Sequence, residues 1–346
     1  MASIYEYSKE ELATFVEGEP RYRLDQLWRG LWSDVLDLDD VTTIPKTLRA
    51  RLRAQFPPSL EVANDVASDH GATRKWVFRL ENGSTIETVL MHYDDRVTVC
   101  VSSQAGCAMG CTFCATGQAG FSGQLSVGQV IEQVMFAVRA AAPDRLTNVV
   151  FMGMGEPLAN YAVTVSAVKR LHEYLGLSAR HLTVSTVGVA PAIERLAKEG
   201  LPLTLAVSLH AANNETRDEL VPLNRRYPLE RLHEACTTWL DVTGRRLSFE
   251  WALIDGVNDT DRAMDELSSY ANSLDAHVNL IPLNPTPGYL VRGSSATRVT
   301  EFRDGLRRRG VNATVRNTRG RSIAAACGQL ATVTNAKRRS IPVRGA

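Results

Sequence analysis

Apolar side chains recur at helical spacing in the first part of the chain. Across residues 24–36 they are Leu24, Leu27, Trp28, Leu31, Trp32 and Leu36. Spacing by three or four positions puts these side chains on one face, which predicts an amphipathic helix. Pro57 and Pro58 then interrupt the pattern. We therefore expect residues 1–60 to form a small helical accessory domain.

A different pattern follows the two prolines. Residues 73–80 and 85–92 read as strands, and Asn82-Gly83 lies between them. Asn-Gly between two such stretches is a strong signal for a tight hairpin, because both residues tolerate positive φ. Residues 61–95 are therefore predicted to be a linker with a β-hairpin extension.

From about residue 96, short apolar stretches alternate with amphipathic ones. The predicted strands are 97–102, 148–152, 181–186, 203–208, 247–253 and 277–282. The predicted helices between them are 127–142, 162–174, 190–198, 229–242 and 260–274. Such alternation implies parallel strands with right-handed crossovers, and six units are fewer than the eight of a full barrel. The expected fold class is α/β: a partial (β/α)6 barrel over 96–333, followed by a basic tail at 334–346.

Composition narrows the setting of the protein. The first residues are polar and acidic, without the apolar stretch of a signal peptide, and no apolar run reaches the ~18 residues of a membrane helix. We expect a cytoplasmic protein with no membrane partner. In a reducing compartment, clustered cysteines indicate metal or redox chemistry rather than structural disulfides.

Charge is distributed unevenly along the chain. The net charge is only +1, but residues 301–346 hold eleven Lys or Arg and two acidic residues. This asymmetry favours a basic C-terminal surface that holds phosphates, with a solvated basic tail as the alternative. The candidate phosphate contacts are Arg307, Arg308, Arg309, Arg316, Arg319 and Arg321.

The pattern Cys-x3-Cys-x2-Cys comes directly after the first core strand, at Cys107, Cys111 and Cys114. Three thiolates are one short of the four that close a zinc or ferredoxin-type site. Around a 4Fe-4S cluster they would leave one iron open, as catalytic metal sites keep one position open. A zinc site with a remote fourth ligand, or buried reduced thiols, are the alternatives.

This cysteine spacing resembles the radical S-adenosylmethionine (SAM) superfamily, in which the amino and carboxylate groups of SAM chelate the open iron. Active sites in such sheets lie at the carboxyl ends of the strands. At the second strand end, Gly155 lets backbone approach a ligand, and the Glu156 carboxylate suits the SAM amino group. Helix-capping or turn roles are the alternatives for the further candidate SAM contacts. These are Ser185, Ser208, Leu209, His210 and Asn284.

Three further cysteines lie outside the triplet. Cys100 is on the first core strand, and Cys236 falls in a predicted helix where we expect a core thiol. Cys327 is flanked by small residues and by Arg319 and Arg321. Nearby cations favour a nucleophilic thiolate, although an inert thiol is the alternative.

Several segments together are similar to the RlmN/Cfr family of radical SAM RNA (adenine) methyltransferases. They are Ile-Glu-Thr-Val (86–89), Cys-Val-Ser-Ser-Gln-Ala-Gly-Cys (100–107), the Cys triplet, Gly-Met-Gly-Glu-Pro, Ser-Leu-His and Ala-Cys-Gly-Gln-Leu. The resemblance covers essentially the whole chain. Gln-Leu-Trp-Arg at 26–29 resembles the accessory domain of the RlmN branch, which methylates adenine C2, rather than the Cfr branch, which methylates C8. Val187, Ser322 and Ile323 depart from the family pattern and leave the fine substrate preference open.

The resemblance implies a mechanism and a set of partners. It implies a 4Fe-4S cluster on the Cys triplet, SAM as second cofactor, and an RNA-binding accessory domain over 1–60. The residue matching Cys327 carries the methyl group, and the one matching Cys100 resolves an RNA–protein adduct through a transient disulfide. The residue matching Glu87 accepts a proton. The implied substrates are an adenosine of 23S ribosomal RNA and, in some members, of tRNA, with an electron donor such as flavodoxin.

Two other classes of function are open from the sequence. A non-catalytic iron–sulfur electron carrier or a zinc-dependent RNA-binding module would use the cysteines without SAM, although an electron carrier normally saturates its cluster with four Cys. A radical SAM enzyme with a peptide substrate would share the core. Only the flanking motifs and the basic C-terminal region argue against it.

Overall fold

The amino-terminal residues fold into a helical unit against the flank of a large sheet. The computed structural model describes residues 2–284, 286, 291–316 and 319–330, apart from the side chain of Arg321; residues 331–333 and the predicted tail 334–346 lie outside the described residues. The helices of this unit are α1 (Lys9–Leu12), α2 (Tyr22–Trp32) and α3 (Lys46–Gln55). The amphipathic helix predicted from the apolar spacing is α2, and Leu27 and Trp32 of its apolar face are buried. Trp32 packs edge-on against Tyr174 of the core, with ring centroids 5.2 Å apart.

The rest of the described chain alternates between strands and helices. The strands are β1 (Glu61–Ser68), β2 (Thr73–Arg79), β3 (Thr85–His92), β4 (Val97–Cys100), β5 (Gln104–Gly106), β6 (Phe121–Gln124), β7 (Asn148–Phe151), β8 (Leu182–Thr186), β9 (Thr204–Ser208), β10 (Ser248–Leu253), β11 (His277–Pro282) and β12 (Ala313–Val315). The remaining α-helices are α4 (Ala115–Ala119), α5 (Val127–Ala141), α6 (Tyr161–Glu173), α7 (Ala190–Ala197), α8 (Asn214–Leu220), α9 (Leu229–Thr243), α10 (Asp261–Asn272) and α11 (Ala296–Arg308). Each predicted core strand and helix is present, and its ends agree with the prediction to within two residues.

In the described part of the chain, ten strands form one sheet in the order β1-β2-β3-β4-β7-β8-β9-β10-β11-β12. All pairs from β4 to β12 are parallel, whereas β1, β2, β3 and β4 pair antiparallel. The six predicted core strands are therefore neighbours in chain order, and the expected α/β fold is confirmed. A separate two-stranded sheet joins β5 and β6 next to the cysteine loop.

The hairpin extension is larger than the sequence indicates, and it belongs to the main sheet. Residues 61–68, expected to be a linker, form β1 and pair with β2. Most of β1 is exposed, so it has no apolar alternation that could have revealed it. The three residues of β12 likewise add a seventh parallel strand that is too short to give a pattern.

Parallel strands covered on both faces read as continuous apolar runs, and this explains the core. Val149, Leu205 and Phe249 on three of these strands are fully buried. Helix α5 begins with a capping box, in which Ser126 and Gln129 satisfy each other's backbone N–H groups. No helix among the described residues has the length and hydropathy to cross a membrane.

Candidate active site

The carboxyl ends of β7, β8, β9, β10 and β11 open into one cavity of about 1050 Å³, part of which is open to solvent. Ten of the predicted site residues line it: Cys107, Cys111, Cys114, Gly155, Glu156, Ser185, Ser208, His210, Asn284 and Cys327. The sheet therefore brings together residues that are up to 220 positions apart in the sequence.

The cysteine loop leaves β5 and wraps over the edge of the sheet. The Cys107 N–H donates to the carbonyl oxygen of Gly120 at 2.9 Å, and the Cys114 N–H donates to that of Cys111 at 3.2 Å. These bonds fold the loop back on itself, and the short helix α4 begins directly after Cys114. All three side chains consequently line the same cavity.

The cysteine loop offers three free thiols to the cavity, and thiolates are the ligands of iron–sulfur clusters. Burial raises the pKa of Cys107 to about 11 and that of Cys111 well above its usual value. Deprotonation therefore requires a cationic partner, and iron would supply one.

The turn after β7 is packed tightly against the cysteine loop. Gly155 has φ +103°, and a Cβ there would lie 2.6 Å from Cβ of Gln104, so only glycine fits. The Glu156 N–H donates to Oε1 of the same glutamine at 2.8 Å. The glycine therefore allows two protein segments to approach closely, and its predicted approach to SAM stays a prediction.

The Glu156 carboxylate is held by backbone N–H groups. Oε1 accepts from the N–H of Leu158 at 2.9 Å, and Oε2 accepts from that of Val187 at 2.8 Å. The residue is 2% exposed, and burial raises its pKa to about 7. Each carboxylate oxygen retains a lone pair, so a protonated amine in the cavity would find an acceptor and would favour the ionised form.

Polar side chains from other strand ends complete the rim. Ser185 and Ser208 lie at the carboxyl ends of β8 and β9 and line the cavity. The Asn284 amide donates to the carbonyl oxygen of Cys327 at 3.2 Å, whereas its Oδ1 is buried without a hydrogen-bond partner. A buried, unsatisfied acceptor at a cavity is suited to a donor group of a bound molecule.

Leu209 and His210 differ in their placement. Leu209 is fully buried in the hydrophobic core and is not among the residues that line the cavity. His210 does line it, with φ +60°, and its Nδ1 accepts from the N–H of Ala252 at 3.0 Å. Burial, together with the nearby Arg217 cation, lowers the pKa of His210 to about 3. The ring is therefore neutral and shapes the cavity wall.

Cys327 lies between this cavity and a second, smaller one. It lines both, whereas Cys100 lines only the second, and both thiols are free. Burial, with a smaller contribution from a Cys327 thiolate, raises the pKa of Cys100 to about 12, and Arg316 opposes this shift. The structure thus places the two outlying cysteines on one small cavity, 227 positions apart in the sequence.

Arg316 is the cation of this second cavity, and the prediction that it contacts phosphate on an outer surface is corrected. Its guanidinium lines both cavities and lies 3.8 Å from Oε2 of the buried Glu250. A Cys327 thiolate raises the pKa of Arg316 above its usual value. The cation expected beside Cys327 is therefore this one. Arg319 also lines the second cavity, with its guanidinium 4.6 Å from the ring centroid of Tyr93.

Other arginines of the basic C-terminal region lie far from the cavity. Arg307 donates to the carbonyl oxygen of Ala313, and Arg309 pairs with Asp265 at 2.7 Å. Both, with Arg308, lie at the end of α11, which leads into β12 at the amino-terminal edge of the sheet. This edge is opposite the cysteines, and the contact of these three residues with RNA phosphates stays a prediction.

The segment that carries Cys327 is docked by distant parts of the chain. Asp69 Oδ2 accepts from the N–H of Gly320 at 2.9 Å, and the Ala115 N–H donates to the carbonyl oxygen of Gly328 at 2.8 Å. The first contact comes from the hairpin region, and the second from the residue after Cys114. The hairpin and the cysteine loop therefore hold this segment from two sides.

Glu87, the expected proton acceptor, is on β3 beside Lys75. The Lys75 Nζ lies 3.1 Å from Glu87 Oε2 and donates to the carbonyl oxygen of Ala324 at 3.1 Å. Both side chains are buried. Glu87 does not line either cavity, but Lys75 links it to the segment of Cys327.

Sequence reasoning missed three charged residues of this region: Lys75, Glu250 and Arg217. Lys75 and Glu250 occupy buried strand positions where the pattern predicts apolar residues. A charge inside a predicted strand was the available signal, because buried charges need partners and tend to mark functional sites.

Comparisons with known proteins agree with this geometry. The family model of the radical SAM superfamily matches residues 101–267. A crystallised radical SAM methyltransferase from Sphaerobacter thermophilus is 48% identical and superposes with a TM-score of 0.92, over 95% of this chain and 99% of that one. A Parafrankia protein named as a probable dual-specificity RNA methyltransferase RlmN is 53% identical, over 91% of this chain and 87% of its own length. A Mycobacterium marinum protein of the same name is 48% identical, over 91% of this chain and 90% of its own.

The parallel sheet, with its cysteine loop after the first core strand, defines a radical SAM enzyme, a class that uses a 4Fe-4S cluster and SAM. The chain belongs to the RlmN family of dual-specificity RNA methyltransferases. The predicted family, fold class, enzyme class and cofactors are thereby confirmed. The electron-carrier, zinc-module and peptide-substrate alternatives are set aside.

Proposed function

We propose that this enzyme methylates C2 of an adenosine in 23S ribosomal RNA and in tRNA, with Cys327 as the methyl carrier. The observation that carries the proposal is the position of Cys327, which lines both the cavity of the Cys triplet and the cavity of Cys100. A methyl carrier must reach the methyl donor and then the resolving thiol. Cys327 is the one cysteine among the described residues that lines both cavities.

Cys107, Cys111 and Cys114 would hold the cluster, with one iron left for SAM. Glu156 would accept from the SAM amino group, and Asn284, Ser185 and Ser208 offer polar groups at the same rim. When bound, the cluster and SAM would supply the methyl group and the radical that activates it. Adenine C2 is neither acidic nor nucleophilic, so methylation there requires such a route.

The protein's own residues would then do three jobs. The Cys327 thiolate, beside Arg316, takes the methyl group and presents it to the adenine. Once the methyl carbon is bonded to the base, the Cys100 thiolate would attack the sulfur of Cys327 to form a disulfide. The carbon–sulfur bond breaks, its electron pair goes to the carbon on the base, and that carbon takes up a proton to become the methyl group. Glu87 is the proposed acceptor of the C2 proton, by analogy with the family, and Lys75 holds it next to the Cys327 segment.

The accessory domain over 1–60 is the proposed RNA-binding part, followed by the hairpin extension and the catalytic core. A flavodoxin-like protein is the proposed electron donor. Because ribosomal RNA and tRNA are cytoplasmic, the proposal agrees with the location that the sequence predicts.

Mass spectrometry of nucleosides tests the function. Cells that lack the gene should lose 2-methyladenosine from purified 23S RNA and tRNA, and the wild-type gene should restore it. A Cys327→Ala gene should not, whereas Cys236→Ala should, because Cys236 is buried in α9 away from both cavities. Unchanged 2-methyladenosine in both RNAs of the deletion strain would refute the proposal.

A further inference from the structure

Arg217 on α8 is a buried arginine that binds the ends of two core strands. It is 1% exposed. Its Nε donates to the carbonyl oxygen of Leu209 at 3.0 Å, and its Nη2 donates to those of Val187 at 2.7 Å and Ser208 at 3.4 Å. One guanidinium therefore joins the carboxyl ends of β8 and β9, which line the main cavity.

The positive charge of Arg217 is not neutralised by a carboxylate. Its Nη1 donates to Oδ1 of Asn224 at 2.9 Å, and Asn224 in turn donates to Asp218 at 2.6 Å. Within the described part of the chain, no Asp or Glu forms an ion pair with Arg217. Burial lowers the pKa of Arg217 to about 10, so it remains charged at neutral pH. A buried cation that is not held in an ion pair by a carboxylate is costly unless an anion approaches.

The anionic partner indicated by the geometry is the cysteine loop. The Thr112 N–H donates to the carbonyl oxygen of Leu220 at the end of α8, at 3.2 Å. Cys111 packs in one apolar cluster with Leu220 and Val221. Helix α8, which carries Arg217, therefore packs against the cysteine loop, and this loop becomes negative when its cysteines are ligands.

Arg217 and Glu156 both form hydrogen bonds with the backbone of Val187. The Val187 N–H donates to the Glu156 carboxylate at 2.8 Å, and the Val187 carbonyl accepts from Arg217 at 2.7 Å. The segment after β8 is thus held by a carboxylate on one side and a guanidinium on the other. Loss of Arg217 would free one of these two restraints and allow Glu156 to move.

We propose that Arg217 is a positioning residue of the SAM and cluster site: it fixes the strand ends that receive SAM, and its charge offsets the thiolates of the Cys triplet. The inference rests on the proposed assignment of the cluster to those cysteines. Because reduction adds negative charge to the cluster, a fixed cation nearby raises its reduction potential.

Two variants of Arg217 distinguish the effect of its hydrogen bonds from the effect of its charge, and a variant of Arg245 is the matched control. Arg217→Gln removes the cation and the fork of donors, whereas Arg217→Lys keeps the charge but cannot reach all the carbonyls. Arg245 is the control. It also donates to a backbone carbonyl next to β9, that of Leu203, but this carbonyl lies at the amino-terminal edge of the sheet. We would measure SAM affinity by calorimetry, the cluster potential by redox titration with electron paramagnetic resonance, and amide exchange in the apoprotein.

Arg217→Gln should weaken SAM binding by about tenfold or more, since hydrogen bonds to charged groups are worth roughly 1.5–3 kcal/mol. It should also make the cluster potential more negative and speed exchange around residues 187–188 and 208–210. Arg217→Lys should weaken SAM binding and speed exchange but leave the potential near that of the wild type. Arg245→Gln should resemble the wild type in all three measurements.

The proposal is overturned if iron-loaded Arg217→Gln has the cluster potential, the SAM affinity and the amide exchange of the wild type. If that variant does not fold, Arg217→Lys decides: unchanged SAM affinity and unchanged exchange at the strand ends overturn it equally. Failure of the proposed function is a separate result, recognised by wild-type protein that binds no iron on the Cys triplet. Such a result overturns the charge part of the proposal, while exchange in the apoprotein still decides the geometric part.

Discussion

Lys75 and Ala324 are joined by a hydrogen bond of 3.1 Å, from an ammonium on the hairpin to a backbone carbonyl three positions before Cys327. The same ammonium lies 3.1 Å from Glu87. Both charged side chains are buried, and their ion pair offsets part of the cost of burying them. The hairpin extension therefore supports the segment of the proposed methyl carrier.

Lys75→Met should destabilise the folded protein and loosen this segment. Removal of one partner of a buried ion pair leaves an uncompensated charge, which costs about 3–5 kcal/mol. Urea denaturation should show this loss, and amide exchange should rise at residues 320–326. The matched control is Lys169→Met, because Lys169 pairs with Glu199 while its side chain is 43% exposed, and such pairs contribute less than ~1 kcal/mol. Equal losses in the two variants would contradict the role of Lys75.

Cys111→Ala should abolish binding of the cluster. Anaerobically reconstituted wild-type protein should be brown and hold about four irons, because three Cys suffice for a site-differentiated 4Fe-4S cluster. Cys236→Ala should keep the iron, since this thiol is buried in α9 and lines neither cavity. Metal analysis and the visible spectrum measure both. Stoichiometric zinc without iron in the wild type would refute the assignment.

Cys100→Ala should trap RNA on the protein. If Cys100 displaces the methylene carbon from Cys327, an enzyme without Cys100 cannot break the bond between the RNA and the protein. Protein purified from cells should then migrate on denaturing gels with bound RNA that nuclease removes. The double variant with Cys327→Ala should carry none, because the attachment atom is absent. A Cys100→Ala enzyme that turns over normally without bound RNA would exclude the two-cysteine mechanism.

Glu156 should make the stability of the apoprotein depend on pH. Burial raises its pKa from 4.5 to about 7. Between these values the folded state holds a proton that the unfolded state lacks. The contribution of Glu156 is therefore fully present below about pH 4.5, falls as pH rises, and is lost above about pH 7.

Glu156→Gln cannot ionise, so its effect on stability should change with pH. From about pH 5 to about pH 8, the unfolding free energy of the variant relative to the wild type should rise by about 2–3 kcal/mol. The control is Glu199→Gln, because Lys169 lowers the pKa of Glu199 and both states of that residue are ionised over this range. Urea denaturation of the apoprotein at the two pH values measures the difference. A pH-independent difference for Glu156→Gln would show that its carboxylate is ionised throughout.

The strand-end rule accounts for most of what the sequence predicted at the site. Cys107, Glu156, Ser185, Ser208 and Asn284 each follow a different apolar stretch, and parallel strands bring such positions to one edge. The rule predicts at which edge of the sheet a residue lies, but it does not predict the direction in which its side chain points. Leu209 follows the same strand as Ser208, yet its side chain enters the core because successive residues there face opposite sides.

Contacts between distant segments could not be read from the sequence. Arg316 is in a basic stretch that suggests an outer surface, and only the position of β12 in the sheet turns its side chain toward Glu250. Arg217 belongs to a short polar helix with no distinctive spacing. Strand β1 lacks apolar alternation because most of it faces solvent. Each of these features depends on how the surrounding sheet and loops are arranged, so no local pattern records it.

The docking of the Cys327 segment has a consequence for the order of events during synthesis. The hairpin and the cysteine loop leave the ribosome more than 200 residues before Cys327 does. Until that segment emerges and reaches Asp69 and Ala115, the nascent protein has a place for its cofactors but no methyl acceptor beside it. The RNA methyltransferase therefore lacks its proposed methyl carrier until this segment has been made and has docked.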